Sequence, residues 1–176
     1  TGKVCKMADY EGFKNEVLSS AQCLCDNGFF GAKLGSGGNV SLFMRTENLI
    51  VITPSRIPYH KMSLHDICVI DPQLNLIEGH LPPSIESPMH AGVYKGRSDV
   101  KAVVHTHQVY AATLACLNWE IPAVHYLVGF SGNKVPLAPY ATYGTPELAQ
   151  YVVQAIGHYN ACLMANHGIV TVGATL

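Results

Sequence analysis

The sequence predicts an α/β layered domain built around a mixed sheet. Three observations carry that reading. Segments with apolar residues at three- and four-residue steps alternate irregularly with short β-branched runs bounded by Gly, Pro, Asn or Asp. The chain has 176 residues, the size of one ordinary domain and enough to bury a core without staples. Hydrophobic residues make up 48% and charged ones only 13%, about half the usual charged share, which excludes a disordered chain. So little surface charge also implies that some surface is hidden by self-association.

The elements follow in order. Phe13, Val17, Ala21, Leu24 and Gly28 keep helical spacing, with Lys14, Asn15, Glu16, Ser19 and Asp26 between them, so a first amphipathic helix ends near Asn27-Gly28. Gly35-Ser36-Gly37-Gly38-Asn39 is a loop leading into a strand over 40–44. A second strand over 48–53 is stopped by Pro54. Strands over 67–70 and 74–77 flank Asp71-Pro72-Gln73 as a hairpin-like pair. Pro82-Pro83-Ser84 precedes a helix over 87–94, and residues 100–105 read as a buried strand. Helices follow over 109–117 and from Thr145-Pro146-Glu147 to about His158, the latter with proline at its first position. Strands over 161–165 and 169–172 complete the pattern of one domain across residues 1–176.

Eleven Lys and Arg against twelve Asp and Glu leave a net charge of −1, so there is no basic field for nucleic acid or for an anionic membrane. No apolar run approaches 18 residues and the first ten lack a signal-like stretch, from which a cytoplasmic location is expected. Cys5, Cys23, Cys25, Cys68, Cys116 and Cys162 contain no Cys-x-x-Cys pair and read as reduced packing residues. Histidine is the outlier, with nine residues.

His105-Thr106-His107 ends an apolar strand. Residues i and i+2 of a strand face the same way, about 7 Å apart, so both imidazoles can converge on one ion, or simply meet solvent as the strand surfaces. Asn166-His167-Gly168 sits between two apolar strands, either as a permissive turn or as the source of a third ligand. Catalytic zinc commonly takes three protein ligands and keeps a position open. Glu86 falls just before a helix, where a carboxylate either caps the N-terminus or serves as an acid-base group beside a metal. His60, His65, His80, His90, His125 and His158 are expected to be surface or structural residues. The Gly35 to Asn39 loop could offer backbone amides to an anion.

Together these pieces resemble the class II aldolase/adducin family. The matching segments are Gly38-Asn39-Val40-Ser41, Ile52-Thr53-Pro54-Ser55, Ile57-Pro58-Tyr59, Pro83-Ser84 with Glu86, Val104-His105-Thr106-His107 and Asn166-His167-Gly168. Ile121-Pro122-Ala123-Val124-His125-Tyr126 and Ala138-Pro139-Tyr140-Ala141-Thr142-Tyr143-Gly144-Thr145 point to its aldolase branch. The resemblance implies a three-layer α/β/α domain around a mostly antiparallel sheet, assembled as a homotetramer with active sites between subunits. It implies one Zn²⁺ per chain, or another divalent ion, held by His105, His107 and His167, with Glu86 as resting fourth ligand and proton-transfer residue. Tyr126 would reach a neighbour's site as acid-base partner. Gly38, Asn39, Ser36, Ser55 and Ser84 would line the phosphate pocket, and Tyr143 the aldehyde side.

The implied reaction is reversible cleavage of a ketose 1-phosphate, such as L-fuculose 1-phosphate, to dihydroxyacetone phosphate and a small aldehyde. Alternatives within the resemblance are a ribulose-phosphate 4-epimerase, an aldolase for a non-phosphorylated substrate, and an adducin-like structural module. The sequence departs from the pattern at Ile85, where a second serine is usual, and at Arg56, where glycine is common. Both are still expected in the substrate pocket, with Arg56 either compensating at the phosphate for the missing hydroxyl or selecting a different anion such as a carboxylate. A C-terminal segment with helices and a late tyrosine, which the resemblance leads one to expect after the Asn-His-Gly strand, is not found within residues 1–176.

Overall fold

The computed structural model describes residues 10–31 and 37–176. Ser36, expected in the anion pocket, lies outside the described residues, as do Gly35 and Cys5. Eight strands form one sheet: β1 (Asn39–Met44), β2 (Leu49–Ile52), β3 (Cys68–Ile70), β4 (Leu76–Glu78), β5 (Ala102–Thr106), β6 (Leu137–Ala138), β7 (Ala161–Met164) and β8 (Gly168–Gly173). Their order is β4-β3-β2-β1-β5-β8-β7-β6. Every neighbouring pair is antiparallel except β6 with β7.

Among the described residues, four helices cover the two faces: α1 (Glu11–Asp26), α2 (Ser87–Gly96), α3 (Val109–Cys116) and α4 (Pro146–Ile156). Strand alternation assigns the layers. Val40, Leu42 and Met44 of β1 pack in the cluster that contains Val17, Ala21 and Cys25 of α1. Leu163 and Ile169 meet Ala111 and Leu114 of α3. The opposite face, through Val103, Cys162, Met164 and Val170, meets Met89 and Val93 of α2 and Leu148 and Val152 of α4. The result is the expected three-layer α/β/α arrangement with a mostly antiparallel sheet. Among the described residues, no helix is long and apolar enough to cross a membrane.

Element boundaries shift where the backbone demands it. The 74–77 strand starts later, at Leu76, because Leu74 is in the left-handed region (φ 71°) and closes the turn. Asp71 Oδ1 accepts the amides of Gln73 and Asn75 at 2.9 and 2.8 Å and stabilises that turn. The two-residue strand β6, behind Pro136, was too short to leave a periodic signal, as were the 3-10 turns Tyr59–Lys61, Leu64–Asp66 and Tyr126–Phe130. Cys25, Cys68 and Cys162 are buried as packing residues should be, whereas Cys23 and Cys116 are exposed.

Candidate metal centre

The site forms where the ends of β1, β5 and β8 meet the start of α2. Asn39 and His105 are Cα partners in the β1–β5 ladder, so they share the face that α2 covers. His105 is fully buried and its Nδ1–H donates to the carbonyl of Ile169 at 3.0 Å, leaving the Nε2 lone pair bare. His107 follows two residues on, just past the end of β5, with its Nε2 3.0 Å from His105 Nε2. His167 comes from the turn between β7 and β8. There Asn166 takes a left-handed φ of 55° and the His167 amide closes on Met164 O at 3.0 Å. Gly168 completes the approach: a Cβ would stand 2.4 Å from the Thr106 carbonyl and 3.3 Å from the His105 ring.

Glu86 arrives from the other direction. Residues 53–55 and 82–84 clamp together through Ser55 N to Pro82 O at 2.9 Å and Ser84 N to Thr53 O at 3.1 Å. The Ser55 hydroxyl accepts the Ile85 amide at 3.1 Å and donates to Pro83 O at 3.0 Å, while Ser84 Oγ accepts the Glu86 amide at 3.3 Å. Glu86 then occupies the N-cap position of α2, but its side chain makes no capping bond. It turns inward instead. Oε2 accepts Asn39 Nδ2–H at 2.8 Å and lies 3.2 Å from His105 Nε2; Oε1 lies 3.6 Å from His167 Nε2. Among the described residues, buried Oε1 has no hydrogen-bond partner.

Electrostatics favour neutral imidazoles. Burial, then the neighbouring His107, pushes His105 down to about 3, against the opposing bond to Ile169. Burial lowers His107 as well. Burial and His105 push His167 down to about 4, opposed by Glu86. The ligand nitrogens of the three histidines lie within 4.8 Å of one another. Bare nitrogens thus face a carboxylate whose second oxygen has no partner among the described residues, and such a donor set fits a cation. Three imidazoles with one carboxylate suit a borderline divalent ion of the zinc type.

A cavity of about 350 Å³ opens onto this cluster, lined by Gly38, Asn39, Ser55, Arg56, Ser84, Ile85, Glu86, His107, Tyr143 and His167. Gly38 (φ 73°) has no room for a side chain: a Cβ would meet Phe30 at 2.4 Å and the His105 carbonyl at 2.6 Å. Arg56 also sits in the left-handed region, at φ 65°, exposed and with no ion-pair partner among the described residues. Tyr126 does not join the cavity. It is 82% exposed on its 3-10 turn. One residue escaped the sequence reading: His90, grouped with surface or structural histidines, is fully buried on α2 and bonded to Asn39. Its four-residue spacing from Glu86 was the signal that could have found it.

Fold and site together define a protein of the class II aldolase and adducin N-terminal domain family, whose sequence model matches residues 18–176; the chain belongs to that family. It is similar to the 5-deoxy-D-ribulose 1-phosphate aldolase of Bacillus thuringiensis serovar kurstaki, 42% identical over 140 residues, covering 80% of this chain and 66% of the relative. The L-fuculose phosphate aldolase of Escherichia coli strain K12 is 41% identical over 141 residues, covering 80% and 64%. A solved L-fuculose 1-phosphate aldolase superposes with a TM-score of 0.90 at 40% identity, covering 94% of this chain and 76% of that one. The chain thus spans about two thirds of the length of the curated relatives it matches.

Proposed function

We propose that this chain, as one domain over residues 1–176, carries the active centre of a zinc-dependent aldolase. The reaction is reversible cleavage of a ketose 1-phosphate to dihydroxyacetone phosphate and a small aldehyde. The observation that carries this reading is Glu86 Oε1, without a hydrogen-bond partner among the described residues and buried beside three imidazoles that line or adjoin one cavity. His105, His107 and His167 hold the ion. When bound, it supplies Lewis-acid polarisation of the ketose carbonyl.

The remaining work falls to the chain's own groups. Glu86, held at Oε2 by Asn39, moves a proton through Oε1 to and from the carbon next to the carbonyl. Arg56 and the backbone around Gly38 hold the phosphate, with Ser55 and Ser84 bracing the loop that carries Glu86. Tyr143 lies on the open side, where the aldehyde would leave. Tyr126, exposed and outside its own cavity, serves a neighbour in a homotetramer as acid-base partner: it relays away the proton of the hydroxyl whose carbon becomes the aldehyde on cleavage and returns it in the synthetic direction. The relatives' names, aldolases for 5-deoxy-D-ribulose 1-phosphate and L-fuculose phosphate, support this substrate class. A cytoplasmic location accords with it.

The test is product analysis of purified, zinc-loaded protein with L-fuculose 1-phosphate, 5-deoxyribulose 1-phosphate and ribulose 5-phosphate. Release of dihydroxyacetone phosphate from either 1-phosphate is expected. Epimerised pentose with no cleavage would move the reading to an epimerase, and inertness on all three would overturn it.

A further inference from the structure

The mechanism leaves the fully buried His90 unused, and it lies on a continuous chain of side chains. Glu86, His90 and Tyr94 succeed one another at four-residue steps from the N-cap of α2, while Asn39 and Ser41 are two apart on the covered face of β1. Four helical residues rise about 6 Å and two strand residues about 6.8 Å, so the two stripes run in step and interleave. Tyr94 Oη meets Ser41 Oγ at 2.6 Å, Ser41 Oγ meets His90 Nδ1 at 2.6 Å, His90 Nε2 meets Asn39 Oδ1, and Asn39 Nδ2 meets Glu86 Oε2 at 2.8 Å. Ser41 and His90 are fully buried, and Asn39, Tyr94 and Glu86 are nearly so.

The far end dictates the direction of every proton. Glu86 Oε2 as a carboxylate oxygen only accepts, so the Asn39 amide nitrogen faces it and the amide oxygen faces His90. That oxygen also only accepts, so His90 Nε2 carries the hydrogen. Burial keeps His90 neutral, pushed down to about 3, so Nδ1 is bare and takes the Ser41 hydroxyl hydrogen. The Tyr94 hydroxyl ends the chain, 2.6 Å from Ser41 Oγ and 3.0 Å from the Ser41 carbonyl, to which it donates. From Ser41 onward the donors all point toward the carboxylate, an arrangement in which each bond strengthens the next. A flipped Asn39 amide would set oxygen against carboxylate and N–H against N–H.

We infer that His90 is a positioning residue for Glu86: its Nε2–H locks the Asn39 amide, which grips one carboxylate oxygen and leaves the other free to carry the proton. The inference rests on the reading of Glu86 as the proton-transfer group. It extends the site to the middle of α2, in a region where polar groups without such a duty would cost stability.

Two substitutions of similar polarity separate positioning from packing. Gln places a donor near the position of Nε2, whereas Asn reaches only as far as Nδ1. In the zinc-loaded full chain, His90→Asn is expected to lower kcat ten- to a hundredfold with KM within about twofold, the scale typical for groups that orient catalytic ligands. His90→Gln is expected to recover most of that loss. Equal impairment in both folded variants, or wild-type kcat in His90→Asn, would overturn the inference. A second measurement needs no turnover: two-bond ¹H–¹⁵N correlation of [¹⁵N]histidine-labelled, metal-free protein. It should find His90 as the neutral Nε2–H tautomer, identified by loss of its signal in His90→Gln or by through-bond assignment if that variant does not fold. An Nδ1–H or charged His90 overturns the proposal. If no sugar phosphate is cleaved, the proposed function fails and the tautomer alone decides for or against His90.

Discussion

Asn39 stands directly opposite His105 across the β1–β5 ladder. One rung of the sheet therefore sets both the amide that holds Glu86 Oε2 and the imidazole 3.2 Å from that same oxygen. A slip of β1 by one residue in this pairing would turn Asn39 to the α1 face while β8 keeps His105 in place, and would dismantle the site, so the register of the sheet is part of the chemistry.

His107→Ala is expected to remove the metal and the activity together. His107 faces the cavity, so its loss leaves two imidazoles and a carboxylate, a set one ligand short of the three-histidine arrangement. Elemental analysis of protein purified in parallel should fall from about one ion per chain to a small fraction of that. Undiminished metal in the variant would show that the ion sits elsewhere.

Glu86→Gln should retain the fold, since the glutamine amide can still meet Asn39 and the site stays filled. It cannot accept the proton. Turnover is expected to drop by about two orders of magnitude or more. Exchange of the dihydroxyacetone phosphate C–H with solvent deuterium, followed by NMR, isolates this step from aldehyde binding. Near-normal exchange in the variant removes Glu86 from its assigned role.

Arg56→Gly separates binding from folding. The left-handed φ of 65° disfavours a side chain by about 1 kcal/mol, which glycine relieves while adding freedom to the unfolded chain. Stability should therefore change little. Losing a charge-assisted contact to phosphate costs about 1.5–3 kcal/mol, so KM for a phosphorylated ketose should rise roughly ten- to a hundredfold. A lower KM in the glycine variant would mean that Arg56 obstructs the pocket rather than serving it.

Away from the site, Arg97 grips Asp99 through Nε at 2.8 Å and Nη2 at 2.6 Å, and donates through Nη1 to the carbonyls of Gly157 and Tyr159. The guanidinium holds the Asp99 carboxyl down at about 2, well below its ordinary value. A depressed carboxyl stabilises the fold above the unfolded value and ceases to do so as pH falls through the folded one. The gap in urea midpoint between wild type and Asp99→Asn should thus be constant from about pH 8 to pH 5 and narrow below about pH 4. A gap that widens on acidification contradicts this assignment.

Much of this was legible in the residues. The same-face pair His105 and His107 followed from strand periodicity, and Asn166-His167-Gly168 from a polar turn between apolar strands. Helix α4 was marked by proline at its first position. Other features were not legible, for physical reasons. A capping carboxylate and an inward-turned one look alike before the helix axis is placed, so Glu86 kept both readings. His90 was missed because a histidine on a helix has no local sign of burial; its partners Asn39 and Ser41 come from a strand about fifty residues earlier. The assignment of Asn39 to phosphate binding did not anticipate that both ends of its amide are occupied, by Glu86 and His90.

The three imidazoles converge because β5 and β8 lie side by side in the sheet, although His105 and its Ile169 partner are 64 residues apart in the chain. Before that long loop closes, the polypeptide offers only a weak two-histidine fragment to any ion. Metal uptake would consequently be linked to folding: an ion at a hundred times its dissociation constant would deepen the native well by about 2.7 kcal/mol. Starvation for the ion would show first as a shrinking pool of intact molecules open to proteolysis, so abundance in the cell would follow divalent-ion supply.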